Sequence, residues 1–470
     1  MGSDEISYLS AAELSAGYRS GALSPVEIVA ALFSRIEALN PRVNALYFVD
    51  ADGGLAAARA AEERWRRGEP NSQLDGVPVT LKDSIWVAGM PSYHGTSAAD
   101  PARAVAAVDA PVTARLKEAG AIPIGKTTMP DYGMIASGIS SRYGVTRNPW
   151  DLSRNTGGSS SGAGAALAAG LGPLAIGTDV GGSIRIPAAF CGVFALKPSY
   201  GRVPLQFPAP WLTAGPMTRS VSDAALMMNV ITRPDRRDFA SLPFDPRDYG
   251  DGLDAGVSGL RIGVLEAIGF GLPADPEVRT MLQKAARCFA ELGAAVEPIP
   301  PIFATDPEPD FDRCVHVGSY LLFANLSAEQ QQAVMPVIAD WCRRRASDDV
   351  LDLMRSQQAI GAIRRQVLGA FDNLDYVIAP TMAVLPYAAE LPWPPGGTSH
   401  NPFCFPFNMS EQPAASINGD YSREGLPIGL QIIGKRFDDA GVLRVARAYE
   451  SATAGMQRCP PTAAQRREKV

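Results

Sequence analysis

Residues 156–187, TGGSSSGAGAALAAGLGPLAIGTDVGGSIRIP, constrain this chain more than any other stretch. They hold two Gly-Gly-Ser elements, Gly157-Gly158-Ser159 and Gly181-Gly182-Ser183. The alanine-rich run between them predicts a helix, and the apolar run before Asp179 a strand. Glycine has no Cβ, so backbone N–H groups in such loops can approach a ligand closely. A serine closing the loop can then be an exposed nucleophile beside an anion site. One Gly-Gly-Ser alone reads as a flexible loop. Two around a single helix–strand unit, together with Lys82 below, favour a reaction centre.

The flanking pattern is that of an α/β layer fold. Ser24-Pro25-Val26-Glu27 is a helix start, with Glu27 expected to complete a capping box. Residues 53–67 predict a second helix, 77–81 a strand, 110–119 a helix stopped by Gly120, and 121–124 a buried strand. A second α/β stretch opens near Leu260, with a strand at 260–266, a helix at 275–293 and a strand at 294–299. Residues 310–370 are mostly helical, 376–380 form a short buried strand, and 426–433 and 438–452 add a last strand and helix. The stretches 233–256 and 386–402 read as connections. Across the 470 residues, 46% are hydrophobic, enough for a sizeable core.

The net charge of −6 argues against nucleic acid or an anionic membrane as the main partner. No apolar run is long enough to span a membrane. The N-terminus carries acids where a secretory signal would be basic, so a cytoplasmic protein is expected. The six cysteines, at 191, 288, 314, 342, 404 and 459, lack CxxC spacing. The three histidines, His94, His316 and His400, form no ligand pair. Neither a metal nor another cofactor is expected.

Gly120–Thr127, GAIPIGKT, matches the phosphate-loop pattern GxxxxGK[ST]. That motif needs a strand before it and a helix after it. Here a helix precedes it and the intervening residues are apolar, so the segment is read as a core strand.

Ser183, behind Asp179-Val180-Gly181-Gly182, is the candidate nucleophile. A serine hydroxyl needs a general base. No histidine can be tied to it from the sequence. Lys82 ends an apolar strand, where burial would favour the neutral amine. A free lysine is neutral in only roughly one molecule in 2,500 at pH 7. The competing reading is a surface salt bridge with Asp83.

These residues resemble the amidase signature family over nearly the whole chain. The likeness runs through LDGVPVTLKD, GAIPIGKTTMPDYG, NPWDLSRNTGGSSSGAG, GTDVGGSIRIPAAFCGVFALKPSYGRV, FNMSEQPAAS and LPIGLQIIG. It implies an α/β/α sandwich, a large mixed central sheet covered by helices on both faces. A single domain over 1–470 is expected, with a catalytic core at 60–230, a variable substrate-shaping subregion at 235–420 and a closing strand and helix at 421–470. The resemblance also implies a Ser–cis-Ser–Lys triad: Lys82 as base, Ser159 as bridge on a cis peptide, and Ser183 as nucleophile. The backbone N–H groups of Val180, Gly181, Gly182 and Ser183 would hold the oxyanion. Asp179 and Arg185 look like a structural pair behind the loop. The chain departs from the family at Ser161, which replaces a glycine, at Thr156, where proline is frequent, and at SEQP (410–413), which replaces TGQP.

The sequence after Tyr200-Gly201-Arg202 resembles stand-alone amidases and acylamidases. Aryl or acyl amides, or related carbamates, are the expected small-molecule substrates, cleaved by a monomer or homodimer. Met129, Tyr132, Met134, Ile135, Phe207, Trp211 and Phe403 are candidate pocket walls. The alternative is the glutaminase subunit of a tRNA-dependent amidotransferase, which requires partner chains. A non-catalytic relative is disfavoured because Lys82, Ser159 and Ser183 are all present.

Overall fold

A computed structural model describes residues 3–397, 401–456 and 458–461. His400 lies outside them. One mixed sheet of eleven strands runs through the molecule. In spatial order its strands begin at residues 46, 122, 78, 174, 213, 194, 414, 427, 376, 261 and 295. The N-terminal part is built around parallel neighbours: Pro78–Lys82 lies between Ile122–Thr127 and Leu174–Asp179, parallel to both. Thr213–Thr218 then runs antiparallel to Leu174–Asp179. The C-terminal strands Ala414–Tyr421 and Pro427–Ile433 continue the sheet through Phe194–Lys197.

Helices cover both faces, and strand alternation shows why. Successive side chains of a strand point to opposite faces. Leu174 and Ile176 pack in the large cluster with Val221, Met281, Leu282 and Val442 from the helices Val221–Ile231, Pro276–Glu291 and Asp439–Ala452. Ala175, between them, packs with Ala163, Leu167 and Ala188 from the helices Ser161–Ala168 and Arg185–Cys191. Val79 and Leu81 join the first cluster, so Lys82 starts from the opposite face, the side of the two Gly-Gly-Ser loops.

Most helix and strand expectations match within two or three residues. The helix expected at 53–67 is Ala51–Arg67, and that at 110–119 is Pro111–Glu118, with Gly120 in the left-handed region at φ +84°. Ser24 caps the helix Pro25–Val43 by accepting from the Val26 and Glu27 N–H groups. Glu27 does not complete a box. The Ser24 hydroxyl bonds Glu62 on the next helix instead. The phosphate-loop look-alike contains the buried strand Ile122–Thr127, and Lys126 Nζ is occupied by the carbonyls of Asp83 and Ile85. Residues 308–369 form four α-helices and one short 3-10 turn, and the stretch 233–256 contains neither helix nor strand. Among the described residues no helix is long and apolar enough to cross a membrane.

Candidate active site

Lys82 is the last residue of its strand, and Thr178 is next to last in the parallel neighbour Leu174–Asp179. Carboxyl ends of parallel strands are where α/β sheets bind ligands. Lys82 is 1% exposed. Its Nζ lies 2.7 Å from Ser159 Oγ, 2.9 Å from Thr178 Oγ1 and 3.3 Å from the Thr178 carbonyl oxygen. Burial pulls its pKa down to about 7, against the opposing pull of Asp179 and Asp83. The Asp83 carboxylate is not its ion partner. It accepts instead from the hydroxyls of Tyr47 (2.7 Å) and Tyr143 (2.9 Å) and from the N–H groups of Tyr93 (2.7 Å) and Gly95 (2.6 Å).

The Gly158–Ser159 peptide is cis. A Cβ on Gly158 would stand 2.5 Å from the Ser137 carbonyl oxygen, so the loop closes only around glycine. The two Gly-Gly-Ser loops are joined directly: Ser160 N–H donates to the Ser183 carbonyl at 3.0 Å. Ser183 and Ser159 both line one cleft with Lys82 and Thr178, of about 190 Å³. The described hydrogen bonds include none between the Ser159 and Ser183 hydroxyls.

Asp179 folds the second loop. Its carboxylate accepts from Gly182 N–H at 2.8 Å, Ile184 N–H at 3.1 Å and the Arg185 guanidinium at 2.9 and 3.0 Å. Burial alone would raise this carboxyl, but Arg185, with Lys197 and Asn408, holds Asp179 below its ordinary value. Arg185 is fully buried and also donates to Gln431, Asn408 and the Cys404 carbonyl. Gly182 sits at φ +116°, and a Cβ there would meet Ile186 Cδ1 at 2.7 Å. One expectation is corrected here. The Gly182 N–H is committed to Asp179, so it is not free for an oxyanion. Among the described residues, the N–H groups of Val180, Gly181 and Ser183 have no acceptor.

Of the seven expected pocket walls, Met129, Tyr132 and Phe207 line the cleft. The other four do not. Met134 and Ile135 are buried with Phe323, Ile338 and Trp341. Trp211 and Phe403 are buried with Phe311 and Phe405. Among the described residues, those lining the cleft fall between 82 and 212, and none comes from the stretch 235–420. The lining also includes groups not read from the sequence: Ser84, Ile85, Val112, Leu205, Gln206 and Leu212. His94 lines it too, with a left-handed backbone at φ 51°. Burial pushes its imidazole below its ordinary pKa, against the pull of Asp83. No motif marked these positions, because a loop residue's exposure to a cleft depends on chain path rather than residue type.

An amine of lowered pKa against a serine hydroxyl, with a second serine and free N–H groups in the same cleft, can support acyl transfer. Among the described residues no group of three or more His, Cys, Asp or Glu could hold a metal ion.

Known proteins share this arrangement of chain. A family model described as Amidase matches residues 27–443. The chain is 32% identical over 477 residues to an acylamidase of Rhodococcus erythropolis, covering 96% of this chain and 97% of the relative. It is 34% identical over 485 residues to a glutamyl-tRNA(Gln) amidotransferase subunit of Myxococcus xanthus, covering 95% and 97%. A bacterial aryl acylamidase of the amidase signature enzymes superposes with a TM-score of 0.88 at 33% identity, over 95% of this chain and 96% of that one.

Proposed function

The chain belongs to the amidase signature family and is an amide-hydrolysing enzyme, and on that premise we propose that it is a stand-alone amidase acting on uncharged aryl or acyl amides through an acyl-enzyme on Ser183. One observation carries the substrate choice. Among the described residues, no aspartate, glutamate or arginine lines the cleft holding Lys82, Ser159 and Ser183. Free glutamine brings a carboxylate and an ammonium, and a charge taken into a cleft needs a partner. Neutral substrates need none, and Ile85, Val112, Leu205 and Leu212 offer them apolar walls.

In this reading neutral Lys82 is the base. Its Nζ reaches three oxygens, two on Thr178 and one on Ser159. In the neutral form two N–H groups would donate to Thr178, and the lone pair would take the Ser159 hydroxyl proton. Substrate brings Ser183 Oγ against Ser159 Oγ, since catalytic hydrogen bonds often tighten only in the complex. Ser183 gives its proton to Ser159 as Ser159 gives one to Lys82. The Ser183 oxygen attacks the carbonyl carbon, and the N–H groups of Val180, Gly181 and Ser183 hold the oxyanion. The proton returns through Ser159 to the leaving amine as the C–N bond breaks. Water then hydrolyses the ester, releasing the acid and Ser183. Carbamates fit the same steps.

The second reading, a glutaminase subunit, draws on the Myxococcus xanthus relative, which is itself an amidotransferase component. The isolated chain distinguishes the two. We expect it to hydrolyse acetanilides without partners and to leave glutamine intact. Glutaminase activity gained only with partner subunits, and no cleavage of any neutral amide, would reject the stand-alone reading.

A further inference from the structure

His94 is fixed along its backbone and unpaired at its ring. The N–H groups of its neighbours Tyr93 and Gly95 both donate to the Asp83 carboxylate, at 2.7 and 2.6 Å. Its carbonyl accepts from Tyr132 N–H at 2.7 Å. These three bonds hold His94 in a left-handed conformation at φ 51°, which few residues other than glycine adopt. The residue lines the cleft with Lys82, Ser159 and Ser183, and its ring lies within electrostatic reach of Lys82 and Asp83. Among the described residues its imidazole makes no hydrogen bond, yet its nitrogens, unlike Ser84 Oγ and Gln206 Oε1, are not sealed from solvent.

A neutral imidazole carries one N–H and one bare nitrogen that accepts. Burial pushes the His94 pKa below its ordinary value, against the pull of Asp83, so the ring is neutral at pH 7. Thr178 Oγ1, another acceptor in the lining, is occupied by Lys82 Nζ at 2.9 Å. The segment bonded to His94 also reaches the bridging serine. Gly133, the residue after Tyr132, packs on it so closely that a Cβ there would stand 3.1 Å from Ser159 Oγ. In the proposed steps Ser159 returns the proton to the leaving amine. His94 and Tyr132 therefore border the amine side of the scissile bond.

We propose that His94 is a specificity residue whose bare ring nitrogen accepts the N–H of the scissile amide. The substrate class is then a neutral amide that keeps a hydrogen on its nitrogen, in preference to the ester of the same shape. A secondary amide taken into a cleft needs an acceptor for that N–H, because a buried donor without one is costly. An ester brings no donor and leaves the ring nitrogen unpaired, so the site discriminates against it. This inference rests on the stand-alone reading above.

The test compares 4-nitroacetanilide with 4-nitrophenyl acetate, in which an ester oxygen replaces the N–H. His94→Leu should lower kcat/KM for the anilide by about tenfold or more and that for the ester by less than about threefold. His94→Gly takes the left-handed backbone without strain and should show the same selectivity. Equal losses on both substrates, a larger loss on the ester, or no loss overturns the proposal. Binding separates acceptance of the N–H from help to the departing amine. In Ser183→Ala, calorimetry should show the anilide bound about tenfold more tightly than the ester. Adding His94→Leu should bring the two within about threefold. A preference that survives His94→Leu, or that is absent with His94 in place, overturns the proposal. Should the wild type cleave no anilide, the functional reading fails separately, and the binding comparison still decides this inference.

Discussion

Lys82 Nζ and Ser159 Oγ, 77 residues apart in the chain, lie 2.7 Å from each other in a buried corner of the cleft. The contact joins the carboxyl end of an interior strand to the loop before the helix Ser161–Ala168.

Removing the base should remove the chemistry. Lys82→Ala is expected to lower kcat by about 10²–10⁴-fold at pH 7, the usual contribution of a positioned proton-transfer group. Lys117, a surface lysine paired with Asp109, serves as the control. Activity of Lys82→Ala equal to that of Lys117→Ala would place the base elsewhere.

The pH profile follows from the same lysine. With its pKa lowered to about 7, the neutral form grows as pH rises through that value. The acid limb of kcat/KM should therefore rise through about pH 7 and level above it. A limb centred near 10, the free lysine value, would contradict the buried base.

Stability carries the same signature. The unfolded chain keeps the lysine proton up to its ordinary pKa, whereas the folded chain releases it near 7. Between those values the unfolded state binds more protons, so folding gains stability as pH rises. The unfolding free energy of the wild type minus that of Lys82→Met should climb from pH 7 towards pH 10. A flat difference across urea titrations in that window would show that Lys82 stays charged in the fold.

The pocket walls should separate from the core. Phe207 is 55% exposed and lines the cleft, whereas Phe403 is 2% exposed and packed with Phe405. Phe403→Ala should cost about 3–5 kcal/mol of stability. Phe207→Ala should change stability far less and act chiefly on KM for aryl amides. Equal losses of stability in denaturant unfolding would remove Phe207 from the cleft wall.

Arg185 offers a test of the loop's support. Arg185→Met leaves Asp179 buried without its guanidinium and should cost about 3–5 kcal/mol in denaturant unfolding. A loss below about 1 kcal/mol would mean that Gly182, Ile184 and Asn408 satisfy the carboxylate unaided.

Local chemistry was legible where a residue acts on its own neighbours. Ser24 announced a helix start, Gly120 a stop, and the Ile122–Thr127 strand showed through a misleading phosphate-loop pattern. Thr213–Thr218, TAGPMT, did not read as a strand, because its glycine and proline disfavour one, and pairing on both sides overrides that preference. In the site, the tandem loops marked Ser159 and Ser183, and family resemblance linked them to Lys82. Thr178 as the second neighbour of Lys82 was hidden, since a threonine in a strand carries no signal of its end-to-end meeting with a parallel neighbour. The diversion of the Gly182 N–H to Asp179 was equally hidden, because sequence shows which groups exist and not where they point. Apolar identity could not divide cleft from core either: Trp211 and Phe207 stand four residues apart, yet only Phe207 lines the cleft.

The central claim is that Ser183 carries the acyl group. The chain would be mixed with an activated p-nitrophenyl ester, quenched in acid during the burst, digested and mapped by mass spectrometry. The acyl mass should lie on Ser183 and vanish in Ser183→Ala. Acylation of another residue, or labelling that survives in Ser183→Ala, would contradict the account.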